Sequence, residues 1–205
     1  MKKSKIIILV ILIAIIIAGV CVIVISKPSR ELDKAIDYLK YEKYKEAYEY
    51  IENTQNEENK IIIKELLSEI FCDKMSKGIQ KQTNIANEAA NVFTIVDRDN
   101  INESLDDNIN INVKGLDAYI ELENKISKNM IIKELEETYD TYFETIKYVR
   151  NNFIDVLNRI DDDDFLNYLG TLSSNMIKVA NDLQSVSDNY DFNPKTDKIM
   201  KDNNF

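Results

Sequence analysis

The sequence predicts an all-α protein, with a single N-terminal transmembrane helix followed by an elongated antiparallel helical bundle. Three observations lead there. Twenty consecutive residues, Ile6 to Ile25, carry no charge. Beyond them stand only three glycines (Gly78, Gly115, Gly170) and two prolines (Pro28, Pro194), too few for the turns of a sheet protein. The remaining apolar residues recur at alternating spacings of three and four, the period of a helix with one buried seam.

The first element is the anchor. Fourteen of its twenty residues are Ile or Val. Such β-branched residues favour strands in water, but a lone span in lipid must satisfy every backbone group internally, which only a helix does. Twenty residues at about 1.5 Å each reach roughly 30 Å, the thickness of the hydrocarbon core. A cleaved signal peptide has a shorter apolar stretch and small residues before the cut, whereas here Ser26-Lys27-Pro28 follows. Ala18-Gly19-Val20-Cys21 approaches a bacterial lipobox, with Val20 too large and four apolar residues still to come. A buried soluble helix would have kept a polar face for water. Ala14 and Ala18 form a small-xxx-small pair that permits close helix dimerisation in lipid.

Lys2, Lys3 and Lys5 precede the span, and Lys27, Arg30 and Lys34 follow it among Glu31 and Asp33. The bases tie, so orientation rests on the short tail and the large following domain, which suit a signal anchor. The expected arrangement is a cytoplasmic tail at 1–5, membrane lipid around 6–25, and a domain outside the cytoplasm at the cell membrane.

Residues 26–205 hold all 36 acids and 23 of the bases, a net charge of −13. That excludes a nucleic-acid surface, which is basic, and disfavours lying flat on anionic lipid. There is no His or Trp, and Cys72 is the one cysteine beyond the span. An intrachain disulfide framework, a Cys/His zinc site and the Ser-His or Cys-His nucleophile pairs are therefore excluded. Cys72 follows Ile70-Phe71 and reads as a small core or near-core residue. The abundance of Asn, Lys and Ile matches the codon bias of an AT-rich, bacterial genome.

The bundle is expected over 26–190. Leu32, Ala35, Ile36 and Leu39, then Tyr44, Ala47, Tyr48 and Ile51, mark a hairpin of two short helices near 31–53. A polar turn from Asn53 to Asn59 follows. Ile63, Leu67, Phe71, Met75, Ile79, Gln82, Ala86, Ala89, Phe93 and Val96 mark a helix near 58–97, with Gly78 as a place to bend. Arg98 to Gly115 is rich in Asp and Asn and reads as a loop; the alternation from Asn108 to Val113 suggests a short extended piece.

Helix is expected again over 116–160, from Ile132, Leu135, Tyr139, Tyr142, Ile146, Val149, Phe153, Val156 and Ile160, a coiled-coil-like seam. Asp161 to Asp164 interrupts it. The last long helix, 163–190, runs on Phe165, Leu169, Leu172, Met176, Val179, Leu183, Val186 and Tyr190. In the polar tail, 191–205, Asn193-Pro194 offers a cap and first-turn proline for a short closing helix. The long stripes need partners, which packing against one another supplies.

Ala35, Tyr38, Tyr44, Ala47 and Ile51 lie at the spacing of one tetratricopeptide unit, and residues 35–51 resemble that family. The chain departs from it at Glu42, where Gly is usual between the helices, at Thr54 for the later Ala, and at Asn59 for the closing Pro. The resemblance implies a helical hairpin of a peptide-binding scaffold. Stable arrays of this kind stack about three or more copies, and only one is present.

Other motifs are weaker than their ordinary explanations. Asp97-Arg98-Asp99 with Asn100, Asn102 and Glu103 lacks the Gly and Glu of a calcium loop. In Asp161–Asp164, Asp163 or Asp164 reads as the cap of the following helix. Asn102-Glu103-Ser104 fits a glycosylation sequon, a feature of little meaning in a bacterial chain. No catalytic, cofactor-binding or metal residue is assigned and no cofactor is expected.

The function expected is a membrane-anchored, extracytoplasmic helical scaffold or protein-interaction module, with a protein partner or self-association. The alternative is a ligand-sensing bundle at the cell envelope, its pocket lined by tyrosines such as Tyr139 and Tyr142. Enzymatic activity is not expected, since no nucleophile-base set is recognisable.

Overall fold

The computed structural model describes residues 29–95, 107–159, 162–203 and 205. Every regular element among them is helical, with no strand. Helix covers 29–40 (α1), Tyr44–Glu52 (α2), Glu57–Ile95 (α3), Asp107–Lys114 (α4), Asp117–Ile120 (α5), Leu122–Lys125 (α6), Glu136–Arg159 (α7), Asp162–Asn189 (α8) and Pro194–Asn203 (α9). Among the described residues no helix is long and apolar enough to cross a membrane; the Ile6–Ile25 segment lies outside them. The chain divides into two compact units, Met1–Ile63 and Lys64–Phe205, with the boundary inside α3.

In the first unit α1 and α2 form a hairpin. Ala35, Leu39, Tyr44, Ala47 and Ile51 are buried, and Tyr38 is half-buried. The turn is a Schellman motif: the Glu42 N–H donates to the Leu39 carbonyl (3.0 Å) and the Lys43 N–H to that of Tyr38 (2.9 Å). This geometry puts its first residue past the helix in the left-handed region, and Glu42 has φ 55°. It is the position where tetratricopeptide units carry Gly, so the departure strains the backbone without abolishing the turn. Asn56 then caps α3, its Oδ1 accepting the Asn59 N–H at 3.0 Å, while Glu57 and Glu58 face the positive end of the helix dipole.

The second unit is built on α3, α7 and α8. Contacts give their directions. Glu137 and Thr138 meet Lys178 and Asp182, while Phe153 meets Phe165, so α7 and α8 are antiparallel. Ser68 meets Ile132, and Phe71 meets Tyr139 and Phe143, so α3 and α7 run the same way. The fully antiparallel bundle expected is corrected in this respect, because the segment between α3 and α7 carries the chain back along α3. Asn112 on α4 accepts from Lys81 and donates to Glu88 Oε2 (2.9 Å), and Tyr119 lies beside Gly78.

That returning segment corrects two expectations. The extended piece at 108–113 is helix α4: Ile109 and Val113, one turn apart, are buried at 1% and 2% exposure, whereas Ile111 is 64% exposed. Helix over 116–160 is instead α5, α6, 3-10 turns at Lys128–Met130 and Lys133–Leu135, and α7. Ile126, Ser127, Ile131 and Ile132 are extended. A straight helix buries one face, but Leu122, Ile126, Met130, Ile131, Ile132 and Leu135 are all buried, which a folded-back chain allows. Side chains hold it down: the Ile132 N–H donates to Ser68 Oγ (2.9 Å), Tyr139 Oη donates to the Ile126 carbonyl (3.0 Å), and Arg150 grips Asp117 with two bonds of 2.6 and 3.1 Å.

Helix α8 starts at Asp162, so Asp163 and Asp164 fall in its first turn, exposed, and neither is the cap expected of them. At the tail Pro194 opens α9, and Asn193 Oδ1 accepts the Lys195 N–H at 3.0 Å. Gly78 serves a close approach: a methyl group there would collide with the Tyr142 hydroxyl.

Candidate interaction surface

Helix α8 has three faces. Phe165, Leu172, Met176, Val179 and Leu183 are buried in the core. On the outward side Leu166 is 63% and Ile177 57% exposed. They lie about three turns apart and so on one stripe. Between them, Gly170 faces open space and Ser173 is exposed. From Phe165 to Ile177 there is no charged residue, in a chain that is 30% charged. Lys178 ends the run, its Nζ donating to Glu137 (3.1 Å) and Asp182 (3.2 Å) on the α7 side.

The third face meets α7 in an open cleft of about 700 Å³. Tyr148, 53% exposed, and Tyr168 form its aromatic wall, ring centroids 5.7 Å apart. Glu144, Asp164, Asn167 and Asn175, with three threonines, supply its polar groups. The Tyr168 hydroxyl is buried, meets no partner among the described residues, and is raised above the ordinary tyrosine range by burial and by Tyr148. A neutral phenol there can donate one hydrogen bond.

A second cleft, of about 520 Å³, lies between α3, α8 and the tail, and includes Cys72, Phe192, Met200 and Phe205. Burial, helped by Glu69, pushes the Cys72 thiol up to about 12, so it stays protonated and poorly nucleophilic. On the same helix as Cys72 the buried Glu65 carboxylate holds α9: Thr196 Oγ1 (2.5 Å), the Asn193 N–H (3.0 Å) and Tyr190 Oη (3.5 Å) donate to it.

Tyr139 and Tyr142, expected at a pocket, lie in the core at 6% and 1% exposure, among Phe71 and Phe143. They line neither cleft. The tyrosines that line the α7–α8 cleft are Tyr148 and Tyr168, both off the expected seams. Among the described residues no group of three or more carboxylates or cysteines could hold a metal; Asp97 to Glu103 lies outside them. The outward stripe was absent from the sequence expectations, although its signal, a charge-free run in an acidic chain, is in plain view. Glu65 gives no such signal among 36 acids.

The chain matches no known family model, and no curated protein or solved structure is significantly similar to it.

Proposed function

We propose that this chain is a membrane-anchored, extracytoplasmic interaction module, tethered through Ile6–Ile25 and docking a protein partner on the outward stripe of α8. One observation carries the reading: Leu166 and Ile177 stand exposed on a charge-free stretch of an otherwise acidic chain. Exposed apolar side chains on a face without charge are a mark of an interaction surface, because the core of an interface is depleted of charged residues. The tether supports it by confining the module to a surface where its partner is concentrated.

The test uses intact cells. With Leu166→Lys and Ile177→Glu together, both at exposed positions, the fold should persist and formaldehyde-crosslinked complexes of the chain should disappear. Complexes unchanged by the pair would overturn the reading. For placement, Asn151→Cys in a Cys21→Ser, Cys72→Ser background should react with a membrane-impermeant maleimide before lysis.

A ligand-binding reading has its own observation in the Tyr148–Tyr168 cleft, where the buried Tyr168 hydroxyl meets no partner among the described residues. Saturable thermal stabilisation by a small molecule, lost in Tyr168→Phe, would favour it over a scaffold.

A further inference from the structure

We propose that the partner docked on the α8 stripe is a second copy of this chain. The inference rests on the interaction-module reading and names its partner.

Charge selects the occupant. Residues 26–205 carry net −13, so two copies repel over most approaches. The exposed residues of α7 include four acids, Glu137, Asp140, Glu144 and Asp155, of which Glu137 and Asp140 are paired with Lys178 and Lys128. A basic partner would be drawn to that acidic side. The α8 stripe from Leu166 to Ile177 offers such a partner no charge, and it is the stretch where two identical acidic molecules meet without opposing carboxylates. Lys178 leans away to its two acids on the α7 side and leaves the stripe neutral.

Shape agrees. A symmetric pair uses one surface twice, so the surface must complement itself. Here two bulky aliphatic groups flank small residues. With two copies of α8 crossed in opposite directions, Leu166 of each meets Ile177 of the other. Gly170 and Ser173 lie at the crossing, where small side chains let the backbones approach. One helical stripe is smaller than the ~800 Å² per partner of a standard interface. Association therefore depends on copies sharing one membrane, where effective concentration is high.

The experiment uses the full chain in its membrane, with Cys21→Ser and Cys72→Ser. Ser173→Cys is oxidised with copper phenanthroline and compared with Asn151→Cys on the exposed side of α7. The expected result is a disulfide-linked dimer at Ser173→Cys well above the control, falling roughly tenfold when Ile177→Glu is added, the equivalent of about 1.4 kcal/mol. Unchanged thermal unfolding of the Ile177→Glu protein excludes misfolding as the cause. A yield no higher than the control, or one insensitive to Ile177→Glu, overturns self-docking. A benzophenone side chain in place of Ser173 separates the two failures. Adducts only with a different protein overturn self-docking and leave the interaction reading standing, whereas no adduct of any kind overturns both.

Discussion

Glu42 and Gly78 show how single backbone positions set the local design. Glu42 sits at φ 55° because the Schellman turn after α1 demands a left-handed residue. Relief of that strain in Glu42→Gly is expected to stabilise the protein by about 1 kcal/mol, read as a higher urea midpoint. At Gly78 the constraint is room and not φ. Gly78→Ala is expected to destabilise by about 1–3 kcal/mol, because the new methyl meets the Tyr142 hydroxyl inside a packed core. That hydroxyl is itself buried and meets no hydrogen-bond partner among the described residues. Tyr142→Phe should therefore be neutral or stabilising in the same denaturation series; a clear loss would mean that the hydroxyl has a partner.

At the scale of elements, α9 is secured by a carboxylate from another helix. The acceptor sites of Glu65 take the Asn193 N–H and the Thr196 hydroxyl, at the positive end of α9. Nearby, the Glu69 carboxyl is raised above its ordinary value, first by burial and then by Asp197 and Glu65. A carboxyl raised in the folded state holds its proton at a pH where the unfolded chain has released it. Its ionised form therefore penalises the fold above the raised pKa, and the penalty fades as pH falls toward the ordinary carboxylate value of 4.5. Glu69→Gln should be more stable than the parent at neutral pH, and the gap should close on acidification. Unfolding midpoints across that pH range measure it; a gap that widened on acidification would contradict the repulsion.

For the whole molecule the governing quantity is its negative charge. If copies meet on a neutral stripe while their other surfaces repel, salt should promote association. At about 0.15 M salt the screening length is about 8 Å, and it shortens further as salt is added. The dimer yield of Ser173→Cys should rise with ionic strength in intact membranes. A fall would mean that ion pairs and not apolar contact hold the copies together.

The helical class was legible in the sequence, because few glycines and prolines and a three-four recurrence leave little else to build. The helical periodicity along α3 and α8 was legible as well, since periodicity is local chemistry. The sequence by itself also determined the acidic character and the residue types missing from any catalytic site. What only the tertiary structure decided lies between helices. Residues 116–135 fold back where periodicity read a straight helix, because Ile126, Ile131 and Ile132 are buried by neighbours distant in sequence. The shared direction of α3 and α7 follows from that return. The fates of Leu166 and Leu169, three residues apart on α8, were decided in the same way. One is 63% exposed and the other half-buried, because a helix's own period says which residues share a face, and only the arriving neighbours determine which face is covered.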